Sequence, residues 1–172
     1  GARKPGGRLA ARTELFSEVD MLVAEGRSLF VVSEASLLSA HEKIRGDLSR
    51  VSAASTLCEI ARLTCIEGYT DTFLFPILSR ALTAVESASD EAHLDVIVAA
   101  YVFKVLAHGG WRPELHSCIA CGDEDPTFFS PRAGGVLCAS CAREVEGAEA
   151  LSASQRVWLA SLISLTFDQI EA

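Results

Sequence analysis

Hydrophobic and polar positions change period partway along this chain. Residues 8–16 alternate weakly, and over residues 17–24 the alternation sharpens, with Val19, Met21 and Val23 on one face. Glu25-Gly26-Arg27 reads as a turn, and residues 28–33 read as a short apolar strand built on Leu29, Phe30, Val31 and Val32. Residues 1–37 are therefore a partial β module of at most about three strands, too few to close a core.

From residue 38 the period becomes helical. Leu37, Leu38, His41 and Ile44 open it, and Gly46-Asp47 interrupts it, with Asp47 placed to cap the next helix. That helix carries Val51, Ala54, Leu57, Cys58, Ile60, Ala61, Leu63 and Thr64 on a broad face and stops at Gly68. Asp71 caps a third helix, striped by Phe73, Leu74, Ile77, Leu78, Ala81, Leu82 and Val85. Pro76 falls in its first turn, where a missing N–H costs least. A fourth helix spans about residues 90–108 and ends at Gly109-Gly110. Ser152 and Gln155 form a capping box for a last helix that carries its apolar positions on to Ile170. The expected fold is mainly α, with two parts: the partial β module over 1–37, and a helical bundle over 38–172 with a loop inserted at 116–142.

Composition supports a globular chain. Of 172 residues, 49% are apolar and 22% charged. No apolar run is long enough for a membrane span; the longest, around residues 96–106, is interrupted by Lys104. The net charge of −8 argues against wholesale nucleic-acid binding, but its distribution is uneven. Residues 1–12 contain Arg3, Lys4, Arg8 and Arg12 and no acid. A local basic segment on an acidic body can still touch phosphates.

The inserted loop holds the clearest chemistry. Cys118-Ile-Ala-Cys121 and Cys138-Ala-Ser-Cys141 are two Cys-x-x-Cys pairs at ribbon spacing. Each pair aims two sulfurs at one point, and the intervening segment can return as a hairpin through Phe128, Phe129, Gly134-Gly135 and Val136-Leu137. This spacing predicts one structural zinc ion held by Cys118, Cys121, Cys138 and Cys141, because four thiolates leave no position open for water or substrate. His116 could replace a sulfur but is not needed. Cys58 and Cys65, seven apart on one helix, read as core thiols, and free thiols beside a metal site fit a reducing cytoplasm.

No enzyme chemistry is visible. There is no glycine-rich phosphate cradle and no nucleophile motif, and His41, His93, His108 and His116 are scattered. One alternative is a zinc-ribbon accessory factor of transcription or translation. Such a factor would want a basic hairpin, whereas Asp123, Glu124 and Asp125 face Arg132 alone between the cysteine pairs.

Gly1-Ala-Arg-Lys-Pro5, the turn at Gly26-Arg27-Ser28-Leu29, and Phe129-Ser130-Pro131-Arg132-x-Gly134-Gly135-Val136-Leu137-Cys138 together resemble the bacterial RecO family of recombination mediators in DNA repair. The resemblance implies an N-terminal OB-fold followed by a zinc-bearing helical domain. It also implies binding of single- and double-stranded DNA, strand annealing, contact with RecR and with the C-terminal tail of the single-strand-binding protein SSB, and indirect service to RecA loading in the RecF pathway. A cytoplasmic, nucleoid-associated protein would follow. On this reading the first strands of the family's OB-fold precede Gly1, so the chain is expected to be truncated and its barrel incomplete. Arg3, Lys4, Arg8 and Arg12 are the expected DNA contacts, and Arg80, Lys104 and Arg112 are candidate bases around a groove for the SSB tail.

Overall fold

The computed structural model describes residues 12–27 and 29–170, and the elements below are those among the described residues. They combine helices with two small sheets. In chain order they are β1 (Glu18–Ala24), β2 (Val31–Ser39), α1 (Glu42–Arg45), α2 (Leu48–Thr64), α3 (Leu74–Ser87) and α4 (Glu91–His108). These are followed by β3 (Phe128–Ser130), β4 (Gly135–Leu137), α5 (Ala139–Ala142), β5 (Glu149–Ala150), α6 (Ala153–Ser164) and α7 (Phe167–Ile170). The chain forms two compact units, residues 1–95 and 96–172, and the boundary between them falls inside α4. The strand-to-helix transition near residue 40 lies within the first unit.

In the first unit, β1 and β2 pair antiparallel, with Met21 opposite Ala35 and irregularities at Glu18/Val19 and Leu22/Val23. Strand pairing persists to Ser39, past the point where the sequence pattern turns helical: Leu37 and Leu38 belong to the strand, not to the first helix. Among the described residues the sheet has two strands. Leu22, Val23, Phe30, Val31, Leu37 and Leu38 are all exposed, and only Ala35 of β2 is buried. Gly26 is required at the turn because a Cβ there would meet the Leu29 carbonyl oxygen at 2.3 Å.

Aspartate side chains start the helices that follow. Asp47 accepts from the Arg50 N–H at 2.9 Å, and Asp71 accepts from the Phe73 and Leu74 N–H groups at 2.7 and 3.3 Å. α2 packs on α3 and buries Ala53, Ala54, Leu57 and Ala61. This face is narrower than the sequence pattern implies. Leu63 is exposed, and Cys65, expected in the core, stands exposed where α2 ends in extended backbone. Arg50 of α2 reaches the end of α3, donating to the carbonyls of Val85, Glu86 and Ala88 at 2.5, 2.8 and 2.7 Å. His41 enters α1 in left-handed backbone at φ 42°, is buried, and bonds the Glu86 carboxylate at 3.0 Å.

In the second unit, β3 sits between β4 and β5, with both pairings antiparallel. Ser152 and Gln155 form the anticipated capping box at α6. The last helix does not run unbroken to Ile170: it stops at Ser164 and resumes as α7. The break has a donor. Lys104 of α4 gives its Nζ to the carbonyls of Ile163 and Leu165, which supplies the end of α6 with a cation where the helix dipole favours one.

Candidate metal centre

The ribbon is built so that its two turns converge. The first turn is stitched by Cys118 N–H to the Asp123 carbonyl at 2.8 Å and by Gly122 N–H to the Cys118 carbonyl at 2.8 Å, with Gly122 at φ 78°. At such an angle a residue with a Cβ is strained. The second turn follows β4: Cys138 ends the strand in extended backbone and heads α5, and Ala142 N–H bonds its carbonyl at 3.0 Å. Ile119 N–H donates to the Val136 carbonyl at 2.9 Å and pins the first turn onto β4. Gly135 admits the chain entering the ribbon, because a Cβ on it would lie 2.6 Å from the Glu114 carbonyl oxygen.

The four sulfurs of Cys118, Cys121, Cys138 and Cys141 all lie within 4.8 Å of one another, and Cys121 Sγ is 3.8 Å from Cys138 Sγ. Cys118 and Cys138 are buried and share a small core with Leu137 and Ala142, against which Phe128, Val145 and Ala148 pack. Cys121 is exposed and Cys141 half-buried. The ribbon's core is thus made partly of the clustered cysteines themselves.

Electrostatics show why the cluster suits a cation. The backbone N–H of Cys138 acts first, with those of Cys121 and Ala120 behind it, and together they outweigh burial and lower the Cys118 thiol to about 6. Cys141, facing the sulfurs of Cys138 and Cys121 and partly desolvated, is pushed up to about 12. Cys121 is also raised, by the sulfurs of Cys118 and Cys138, although the Asp123 backbone N–H opposes this. Several thiolates cannot share so small a space without a positive charge among them. Soft sulfur donors, convergent and close, can hold a metal ion.

His116 takes no part in the cluster. Its backbone N–H donates to Glu114 Oε1 at 2.6 Å, and its carbonyl accepts from Arg156 at 3.3 Å.

The remaining candidate residues are dispersed. Arg3, Lys4 and Arg8 lie outside the described residues. Arg12 donates to the Ala35 carbonyl at 2.7 Å, so its guanidinium braces the hairpin. Arg80 is exposed on α3 in the first unit. Arg112 lines a shallow pocket of about 140 Å³ with Glu114, Leu115, His116, Ala160 and Ile163 in the second unit. Lys104 is not a free rim base: it is committed to two carbonyls, lies 5.8 Å from the Phe167 ring centroid, and has its ammonium pKa pulled down by burial. Sequence reasoning had no signal for Arg50 and Lys104 as helix-end caps, because their partners lie tens of residues away.

A four-thiol ribbon carried between helices defines the class: a helical domain with a cysteine ribbon that could hold a metal ion. The particular family follows from comparison. The family model described as "Recombination protein O C terminal" matches residues 45–172, and the chain belongs to that family. It is similar to the DNA repair protein RecO of Roseiflexus sp. (strain RS-1), 37% identical over 145 residues, which cover 83% of this chain and 50% of that protein. It is 38% identical over 141 residues to the DNA repair protein RecO of Bifidobacterium longum subsp. infantis, covering 80% of this chain and 58% of that protein. The DNA repair protein RecO of Symbiobacterium thermophilum is 33% identical over 157 residues, covering 88% and 61%. The chain thus spans about half to three fifths of the length of these curated relatives. Among the described residues, no helix is long and apolar enough to cross a membrane.

Proposed function

We propose that this chain belongs to a DNA-binding recombination mediator of DNA repair, and that its ribbon holds one structural zinc ion. The observation that carries the repair reading is the family match over residues 45–172, joined by relatives that bear the name DNA repair protein RecO. On this reading the protein binds and anneals single-stranded DNA, and with RecR and SSB it promotes RecA loading in the cytoplasm. The exposed apolar hairpin β1–β2 supports treating residues 1–37 as part of a larger OB-fold-like β module.

The zinc assignment rests on the donor set and its size. A tetrahedron with metal–sulfur distances of about 2.3 Å has edges of about 3.8 Å. The Cys121–Cys138 sulfur separation is 3.8 Å, and the remaining pairs need contract little from their 4.8 Å bound. Zinc would fix the two turns to each other and complete the ribbon core. Four thiolates close its coordination sphere, so the site offers no place for a substrate, and we assign it no catalytic role. Elemental analysis should find about one zinc per chain, and replacing Cys138 with serine should lose it; protein that lacks zinc and has both pairs oxidised would reject the assignment.

The DNA reading is tested with a version extended to the length of the relatives. It should shift labelled single strands in a gel and accelerate annealing of complementary strands. Neutralising Arg3, Lys4, Arg8 and Arg12 together should flatten the salt dependence by roughly one unit for each phosphate that is no longer neutralised. Unchanged affinity and slope would remove the basic segment from the interface. Titration with an SSB tail peptide should saturate, with Arg112 and Arg80 as the bases to test.

A further inference from the structure

The four sulfurs are unequal in their access to solvent. Each turn buries its first cysteine, Cys118 at 2% and Cys138 at 7% exposure, and turns its second outward, with Cys121 exposed and Cys141 half-buried. The exposed sulfur of the first turn is 3.8 Å from the buried leading sulfur of the second. A structural thiolate site normally withholds its sulfurs from oxidants, and this one presents a sulfur at the surface with a second sulfur in reach behind it.

We propose that Cys121 is an oxidation site, which hydrogen peroxide or another small hydroperoxide converts into a Cys121–Cys138 disulfide that disassembles the metal centre. The inference rests on the metal reading above only for its consequence, not for its chemistry.

The steps balance. The Cys121 thiolate attacks a peroxide oxygen; the S–O bond forms, the O–O bond breaks, and the departing hydroxide takes up a proton and leaves as water. Cys121 is then a sulfenic acid, oxidised by two electrons as the peroxide is reduced. The Cys138 sulfur attacks Cys121 Sγ; the S–S bond forms, the S–O bond breaks, and a second water leaves. Two thiols and one peroxide give one disulfide and two waters. Forming the bond requires the sulfurs to close from 3.8 Å to about 2.05 Å. Cys138 joins β4 to a four-residue helix, so it can make this movement at the joint between the two elements.

Cys118 is the less suited partner for Cys121. Its turn is held shut by the two hydrogen bonds to Asp123 and Gly122. Of the four clustered cysteines the disulfide would leave only Cys118 and Cys141 as thiols, and two sulfurs do not hold a tetrahedral ion. The metal is then released, and the two turns remain tied to each other by the covalent bond. A dithiol reductant returns both thiols and the capacity to rebind metal. Cys58 and Cys65 are internal controls: Cys65 is also exposed and Cys58 is half-buried, and neither belongs to the four-sulfur cluster.

The experiment uses the whole chain, loaded with zinc and treated with hydrogen peroxide. Released zinc is followed with a chromogenic chelator, and disulfides are mapped by peptide mass spectrometry after the remaining thiols are alkylated. We expect Cys121–Cys138 as the first linkage, with about one zinc ion released per linkage and full rebinding after reduction. In Cys121→Ser, peroxide-driven release should be lost. Because that variant could bind zinc poorly from the start, the order of linkages in the unaltered chain is the deciding measurement. A first linkage within either pair, a first modification at Cys65, or retention of zinc after the Cys121–Cys138 bond forms would overturn the proposal. If the purified chain carries no zinc, the metal reading fails, and the linkage mapped on the metal-free thiols still decides whether Cys121 and Cys138 are the reactive pair.

Discussion

Arg50 ties the start of α2 to the end of α3, and its removal gives the most direct test of how the first unit is held together. Its guanidinium serves three carbonyls, of Val85, Glu86 and Ala88, at 2.5–2.8 Å. These are carbonyls of the last turn of α3 and its exit, where no further helical N–H exists to meet them. A hydrogen bond to a charged group contributes about 1.5–3 kcal/mol net. The three share one guanidinium, and part of the loss is recovered when the carbonyls turn to water, so they do not add. A cation at a helix C-terminus contributes about 0.3–1 kcal/mol more. Arg50→Met keeps much of the apolar stem and should cost about 3 kcal/mol, against a total stability of about 5–15 kcal/mol for a typical domain. Arg50→Lys keeps the charge but loses the planar fork, and should cost about half as much. Urea unfolding followed by circular dichroism is the assay. The midpoint should fall by about 1 M or more at unchanged slope for the methionine variant, given slopes of about 1–3 kcal/mol/M. A methionine variant within about 0.5 kcal/mol of the parent, the scatter of ordinary surface changes, would refute the capping argument. A lysine variant equal to the parent would show that charge alone suffices.

Other consequences are as direct. Gly135→Ala should break the entry to the ribbon, since the new Cβ would stand 2.6 Å from the Glu114 carbonyl oxygen. Losing the bonds of Glu114 to Gly134 and Val136 should cost about 2 kcal/mol, visible as faster amide exchange at Val136 and weaker retention of the proposed metal ion. Burial pushes the Glu86 carboxyl up, but bonds from the His41 ring and the Lys43 N–H outweigh it and hold its pKa below the usual range. Its contribution to stability is therefore whole above the unfolded carboxyl value of about 4.3 and lost as pH falls below it. Glu86→Gln should flatten that part of the stability–pH curve, and an unchanged acid limb would argue against the pair. Ser152→Ala should remove the capping box of α6 and cost about 1 kcal/mol, read as a lowered urea midpoint.

Much of the helical part was legible because its signals are local. Asp47 and Ser152 bond to N–H groups three residues on, and such bonds depend only on the sequence beside them. The two Cys-x-x-Cys turns are likewise local, and their convergence follows from the hairpin of β3 and β4 between them. The strands were harder. β2 continues through Leu37 and Leu38, where adjacent apolar residues fit the start of a helix as well as a hairpin arm, and pairing with β1 decides the matter. β5 is two residues long and has no period to read. Cys65 looked like a core thiol because it lies seven residues from Cys58, two helical turns along the same face. It falls where the helix ends, and backbone that turns extended no longer presents the helix's buried face.

The described bases have a use that no sequence pattern displays. A basic residue in a sequence suggests a phosphate or an acidic partner, but five of this chain's described bases spend N–H groups on main-chain carbonyls. Arg12 serves Ala35, Arg45 serves Leu15 and Ala40, Arg50 closes α3, Lys104 closes α6, and Arg156 serves His116. The mixed architecture asks for this. Short helices and a two-stranded hairpin leave many carbonyls without an N–H partner from their own element, and long cationic side chains are the donors that reach them. Acids take the complementary place at helix starts, as Asp47, Asp71 and Asp90 do. Bonds to neutral carbonyls leave these cations charged, so the net charge of −8 is unaltered while the positions of five of the positive charges are fixed by the fold. Within the second unit the same reasoning separates two bases: Lys104 has its ammonium committed to the carbonyls of Ile163 and Leu165, so an acidic partner would have to meet Arg112 before it.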